Sequence, residues 1–146
     1  MENRPIPSVG CIIINDENEI FLIQRKQKIG HLSWAPPGGH IELNEKVEDA
    51  VARECGEEIG IKITHLKYLA YTDDFFANEG WHYITFWYVC EGYTGKIYNK
   101  AKDEIYKSNW FSLNNLPDNL FLAFRNLTQK PEFIMWRAQQ MISRHI

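Results

Sequence analysis

Between Gly39 and Ile61 the chain reads GHIELNEKVEDAVARECGEEIGI, and this stretch constrains the fold more than any other. Val47, Val51, Cys55 and Ile59 recur every four residues, with Ala50 alongside, which is one apolar stripe of an amphipathic helix over residues 45–59. The stripe requires a core to face. Asn44 is suited to cap the helix start, and Glu45, Glu48 and Asp49 put negative charge where the helix dipole favours it. Gly60 supplies a left-handed stop.

On the polar side Glu54, Glu57 and Glu58 stand at i, i+3 and i+4, so their carboxylates meet on one face of the helix. Like charges at this spacing cost about 0.2–0.5 kcal/mol per pair on an exposed helix. A solvated acidic face is one reading of the trio. The other is a divalent cation, because clustered hard oxygen ligands suit magnesium or manganese and leave positions for substrate phosphates. Arg53, one turn before Glu57, can also reach back to Glu45, a placement for orienting carboxylates. Gly56 lies in the helix interior, where glycine costs roughly 1 kcal/mol relative to alanine, and no local reason for it is evident.

The same residues fill the pattern G-x5-E-x7-R-E-U-x-E-E-x-G-U, with U apolar. Gly39, Glu45, Arg53, Glu54, Glu57, Glu58 and Gly60 take the fixed positions, and Cys55 and Ile61 the apolar ones. This resembles the Nudix box, the signature of hydrolases that cut a nucleoside diphosphate linked to a further group. A pattern of this length is far more specific than a lone glycine motif. The resemblance covers approximately Ser8 to Pro117 and implies an α+β fold, an α/β/α sandwich with a mixed β-sheet. It also implies Mg2+ or Mn2+ as cofactor, with Glu54, Glu57 and Glu58 as ligands.

With 146 residues, the chain is read as one domain spanning residues 1–146. Its 45% hydrophobic and 24% charged content is that of an ordinary globular protein, and no apolar run approaches a membrane span. MENRPIPSVG lacks the basic and apolar segments of a secretory signal, so the expected location is cytoplasmic. Cys11, Cys55 and Cys90, odd in number and widely spaced in apolar settings, read as reduced core thiols. A net charge of -3 with scattered basic residues argues against a nucleic-acid polymer as partner. A nucleotide held locally by metal and a few cations is compatible with it.

Along the chain, Ser8 to Ile14 and Glu19 to Arg25 read as two strands of an opening hairpin around the turn Asn15-Asp16-Glu17-Asn18. Arg25 is either a strand-end surface cation or, by the resemblance, a phosphate contact. Trp34-Ala35-Pro36-Pro37-Gly38-Gly39 turns sharply and resembles the W-x-x-P-G-G entry to the box, which brings the Gly39 backbone and the adjacent His40 close to phosphate. Trp34 either stacks on a base or plugs the core.

Ile61 to Tyr71 is expected as a strand, Thr72 to Gly80 as a loop or hairpin tip, and Trp81 to Glu91 as a central strand covered on both faces. Phe75 and Phe76, placed on the loop in this reading, suggest a nucleobase pocket or a homodimer contact. A short helix is expected within Asn119 to Asn126, and a last helix from Pro131, packing through Ile134, Ala138, Met141 and Ile142.

Glu104, with Asp103 next, is the acid that the resemblance places over the metals as general base or extra ligand. KAKDE also reads as an ordinary charged loop. The candidate proton acceptors are thus Glu57, Glu58 and Glu104, and Glu45 and Arg53 support them. No P-loop of the G-x-x-x-x-G-K type and no zinc-like Cys/His spacing is present. The run W-x-x-P-G-G-H-I-E with Trp81-His82-Tyr83-Ile84-Thr85 is similar to the MutT-like branch, which implies cleavage of ordinary or oxidised nucleoside triphosphates to monophosphate and pyrophosphate. ADP-ribose or nucleotide-sugar hydrolysis is the enzymatic alternative, and a nucleotide-sensing Nudix domain without turnover is the non-enzymatic one.

Overall fold

The computed structural model describes residues 4–143. In chain order these form β1 (Ile6–Ile12), β2 (Glu19–Arg25), β3 (Trp34–Ala35), β4 (Gly38–His40), α1 (Val47–Ile59), β5 (Lys62–Phe76), β6 (Trp81–Thr94), β7 (Ile105–Ser112), α2 (Leu122–Thr128) and α3 (Pro131–Ser143). One sheet is mixed, in the order β4-β1-β6-β5, with β1 parallel to β6 and its other pairings antiparallel. The second, in the order β3-β2-β7, is antiparallel.

Alternation along the strands divides the interior in two. Val9, Cys11 and Ile13, with Tyr88 and Cys90 of β6, pack against the α1 stripe Ala50, Val51, Cys55 and Ile59. Ile12, Trp87 and Val89 take the other side with Phe124 and Leu127 of α2 and Phe133 and Trp136 of α3. The result is an α+β sandwich with helices on both sides. All three cysteines are free and buried. Among the described residues no helix is long and apolar enough to cross a membrane.

Several sequence expectations are corrected. Asn44 does not cap α1. It takes a left-handed conformation, φ 66°, and the helix starts after Lys46, which makes no side-chain cap. Asparagine tolerates that conformation, so the chain uses it to turn into the helix. β1 and β2 do not form a continuous hairpin ladder, because both edges of β1 are taken by β4 and β6; one isolated bridge, from Ile14 past the end of β1 to Ile20 in β2, joins them.

Thr72 to Phe76 continues β5 instead of forming a loop, with Asp74 paired to Tyr83 and Phe76 to Trp81. Phe76 joins the core, whereas Phe75 remains 63% exposed. On α3 the packing face is Phe133 and Trp136, with Met141 against the same core, while Ile134 and Ile142 face outward. β6 is internal in its sheet and carries side chains into both cores.

Candidate active site

α1 brings its acidic face up to β4, and the two meet over very little space. A Cβ on Gly39 would collide with the Glu54 carboxylate, and one on Gly38 would collide with the Val9 carbonyl. Two glycines are therefore what allow the strand, the sheet and the acids to approach one another. Gly38 N–H donates to Glu58 Oε1 at 2.9 Å. Glu58 is 4% exposed, and burial, with the charge of Glu54 next, raises its pKa well above the ordinary carboxylate value. Burial likewise pushes Glu54 up to about 7, against the lowering effect of Arg53.

Arg53 is the organiser of this face. Its guanidinium donates to Glu45 at 2.7 and 3.1 Å, to Glu54 at 2.8 Å, to Glu57 at 3.0 Å and to the His40 carbonyl at 2.9 Å. The hydrogen bonds to Glu45 are the largest cause of its raised pKa, and they hold Glu45 below the usual carboxylate range. Glu45 in turn accepts the Glu42 N–H at 3.0 Å, which ties the turn before α1 to the same cluster.

Beside these acids opens a cavity of about 630 Å3. Glu54, Glu58, Gly38, Gly39 and His40 line it on one side, and Arg25 and Glu104 reach it from β2 and the segment before β7. Arg25 lies 4.0 Å over the Phe121 ring and donates through Nε and Nη2 to the Ile29 carbonyl at 3.1 and 3.0 Å. Burial lowers its pKa from the arginine value, and the nearby charges of Glu58 and Glu104 oppose that. His40 packs edge-on against Tyr83, and burial followed by the charge of Arg25 lowers its pKa.

Residues 4–136 match the NUDIX domain family. The chain belongs to the Nudix family. It is 33% identical over 127 residues to an ADP-ribose pyrophosphatase of Methanocaldococcus jannaschii, covering 86% of this chain and 71% of that protein. It superposes on a MutT NUDIX hydrolase of Burkholderia pseudomallei with a TM-score of 0.81 and 32% identity, covering 84% of this chain and 95% of the other. The NUDIX domain of Shewanella oneidensis NrtR, solved with ADP ribose, superposes with a TM-score of 0.70 at 17% identity over 97% and 90% of the two chains, a likeness of fold.

Within this Nudix domain the expected site residues are not all in one place. Glu54, Glu58, Glu104, Arg25, Gly39, His40 and Arg53 border the cavity. Glu57 does not border it; its side chain is 59% exposed and turned to Arg53. Glu45 is a support beneath Arg53, and Asp103 is exposed away from the cavity. Among the described residues no three His, Cys, Asp or Glu side chains converge on one point as they stand. Glu54, Glu58 and Glu104 nevertheless present carboxylate oxygens to the cavity, the ligand type of magnesium and manganese.

Trp34 is partly buried against the core, edge-on to Phe111 at 4.9 Å, and does not border the cavity. Sequence reasoning missed Ser8, Trp87 and Phe121 as cavity residues. The alternation Trp81, Tyr83, Thr85, Trp87 along β6 carried a signal for one shared face. Phe121 carried none, since only the docking of the α2 segment brings it over Arg25.

Proposed function

We propose that the protein is a divalent-metal-dependent nucleotide pyrophosphatase that cleaves a nucleoside triphosphate, ordinary or oxidised, to monophosphate and pyrophosphate. The observation that carries the reading is the convergence of Glu54, Glu58 and Glu104 with Arg25 on one cavity beside the glycine backbone of β4. Glu54 and Glu58, with Glu57 turned inward, would hold Mg2+ or Mn2+. A bound metal of this kind supplies charge neutralisation at the phosphates and a more acidic water.

The chain's own side chains do the rest. Arg25 offers positive charge to phosphate from the end of β2, with its orientation held by Ile29 and Phe121. Arg53 keeps the acids aligned. Glu104, which makes no ion pair among the described residues, takes the proton of the attacking water. Glu57 and Glu58 are the other acids suited to that task.

The likeness to a MutT NUDIX hydrolase, which this chain covers almost fully, supports the MutT-like resemblance from which the triphosphate reading is drawn. The second reading, ADP-ribose hydrolysis, draws on the identity to the ADP-ribose pyrophosphatase. Product analysis with Mg2+ over ordinary and oxidised nucleoside triphosphates, ADP-ribose and nucleotide sugars separates them. Pyrophosphate with a nucleoside monophosphate is the expected result. AMP with ribose 5-phosphate from ADP-ribose alone would select the second reading. Binding without turnover on every compound would make the domain a cytoplasmic nucleotide sensor.

A further inference from the structure

One polar row crosses a face of the mixed sheet. His40 on β4, Ser8 on β1, Thr85 on β6 and Thr72 on β5 are successive partners in register. The next row is Gly38, Gly10, Trp87 and Ala70, which is apolar or without side chain. Ser8, Thr85 and Thr72 are all buried, and Ser8 and Thr85 border the cavity.

Behind Thr85 sits Asp74, fully buried and outside the cavity lining. Thr85 Oγ1 donates to Asp74 Oδ2 at 2.6 Å, and Asn126 Nδ2 of α2 donates to Asp74 Oδ1 at 2.9 Å. Trp87 Nε1 donates to Thr72 Oγ1 at 3.0 Å. Burial pushes the Asp74 carboxyl up, and the hydrogen bonds from Thr85, Asn126 and Thr72 oppose that. In its ionised form the carboxylate accepts hydrogen bonds and donates none, while a threonine hydroxyl has a single hydrogen. With that hydrogen spent on Asp74, Thr85 can offer the cavity only acceptor lone pairs. Ser8 is the complement. Its buried Oγ has no hydrogen-bond partner among the described residues, an uncommon condition for a buried polar atom, so its hydrogen is uncommitted.

We propose that Asp74 is a positioning residue that fixes Thr85 as a hydrogen-bond acceptor, and that Thr85 and Ser8 form a subsite for a nucleobase edge bearing an N–H donor. The proposal rests on the reading of the cavity as a nucleotide site. Asp74 touches no ligand and acts through Thr85. An edge with an N–H beside a carbonyl gives its hydrogen to Thr85 and takes that of Ser8. An edge of bare ring nitrogens sets lone pair against lone pair at Thr85. In Asp74→Asn the side-chain amide can donate to Thr85, which frees the threonine hydrogen for the cavity.

The test is calorimetric binding, in metal-free buffer, of inosine 5′-monophosphate and purine riboside 5′-monophosphate, whose six-membered ring carries acceptors only. Wild type should bind the inosine nucleotide at least about 5-fold tighter, the worth of one hydrogen bond. Asp74→Asn should bring the ratio near one or invert it, Thr85→Val should flatten it, and Thr85→Ser should keep it. Should Asp74→Asn not fold, the two Thr85 variants decide. Equal affinities in wild type, no detectable binding of either nucleotide, or a ratio unchanged in Asp74→Asn and Thr85→Val would overturn the proposal. Turnover of a triphosphate without base discrimination would sink the subsite and leave the hydrolase reading standing. Discrimination without turnover would do the reverse.

Discussion

Glu58 Oε1 accepts a hydrogen bond from the Gly38 N–H at 2.9 Å, which pins α1 to β4 across twenty residues of sequence. The bond holds a carboxylate in a nearly dry setting next to Glu54, an arrangement that costs stability and that a cation would relieve.

Glu58→Gln should therefore stabilise the metal-free protein in a pH-dependent way. The folded pKa of Glu58 is raised, so above the ordinary value of 4.5 the folded chain holds more protons than the unfolded chain and stability falls as pH rises. Glu54 adds to this fall between 4.5 and about 7. Glutamine keeps an acceptor for Gly38 and has no charge to desolvate. Thermal melts should give the variant a higher Tm than wild type at pH 8 and a shrinking difference toward pH 4; a lower Tm at pH 8 would contradict the account.

Arg53→Lys should separate charge from geometry. One ammonium cannot span Glu45, Glu54, Glu57 and the His40 carbonyl together, as the guanidinium does. We expect a stability loss of about 1–3 kcal/mol by chemical denaturation. Turnover should fall by roughly 10- to 100-fold through misplaced carboxylates. Wild-type turnover in this variant would show that the fork has no bearing on the reaction.

Glu57→Gln should lower metal-dependent turnover at least about 100-fold, as loss of a central electrostatic group commonly does. Because Glu57 is exposed, melting should be little changed. Near-normal turnover would remove Glu57 from the metal set and leave Glu54, Glu58 and Glu104.

Gly39→Ala places a methyl group where the Glu54 carboxylate lies. Either Glu54 moves or β4 does, so turnover should drop by at least about 10-fold even where the protein folds. Unimpaired kinetics with magnesium would mean that the position of Glu54 is not critical.

Gly56→Ala tests the opposite case. Among the described residues outside the helix's own backbone, a Cβ there would meet only the Ile61 carbonyl, just past the end of α1, at 3.6 Å, an ordinary van der Waals contact. The substitution should stabilise by about 0.5–1 kcal/mol. A loss of stability would point to a close approach that the packing of α1 does not reveal.

The box helix was legible because its signals are local. Val51, Cys55 and Ile59 repeat at the helical period, and all are buried as that period requires. Asp73, Asp74 and Asn78 read as a loop because acids and amides usually mark exposed chain. Asp74 instead lies in β5, where Thr85 and Asn126 satisfy its carboxylate. Nothing near Asp74 in sequence announces Asn126, which lies 52 positions later on another element. The failure at Asn44 is of the same kind: a residue equally suited to a cap and to a left-handed turn was assigned by what followed it in sequence.

The sequence by itself determined the Nudix box, its stripe and its run of acids, because helical periodicity places side chains on faces with no reference to the rest of the chain. Tertiary structure decided what each acid became. The approach of β4, permitted by Gly38 and Gly39, buried Glu58 and left Glu57 outside, and the crossing of β6 beside β1 set Ser8 next to Thr85. Burial and hydrogen-bond partners are properties of neighbours distant in the chain, and the chemistry of a carboxylate or a hydroxyl follows from them.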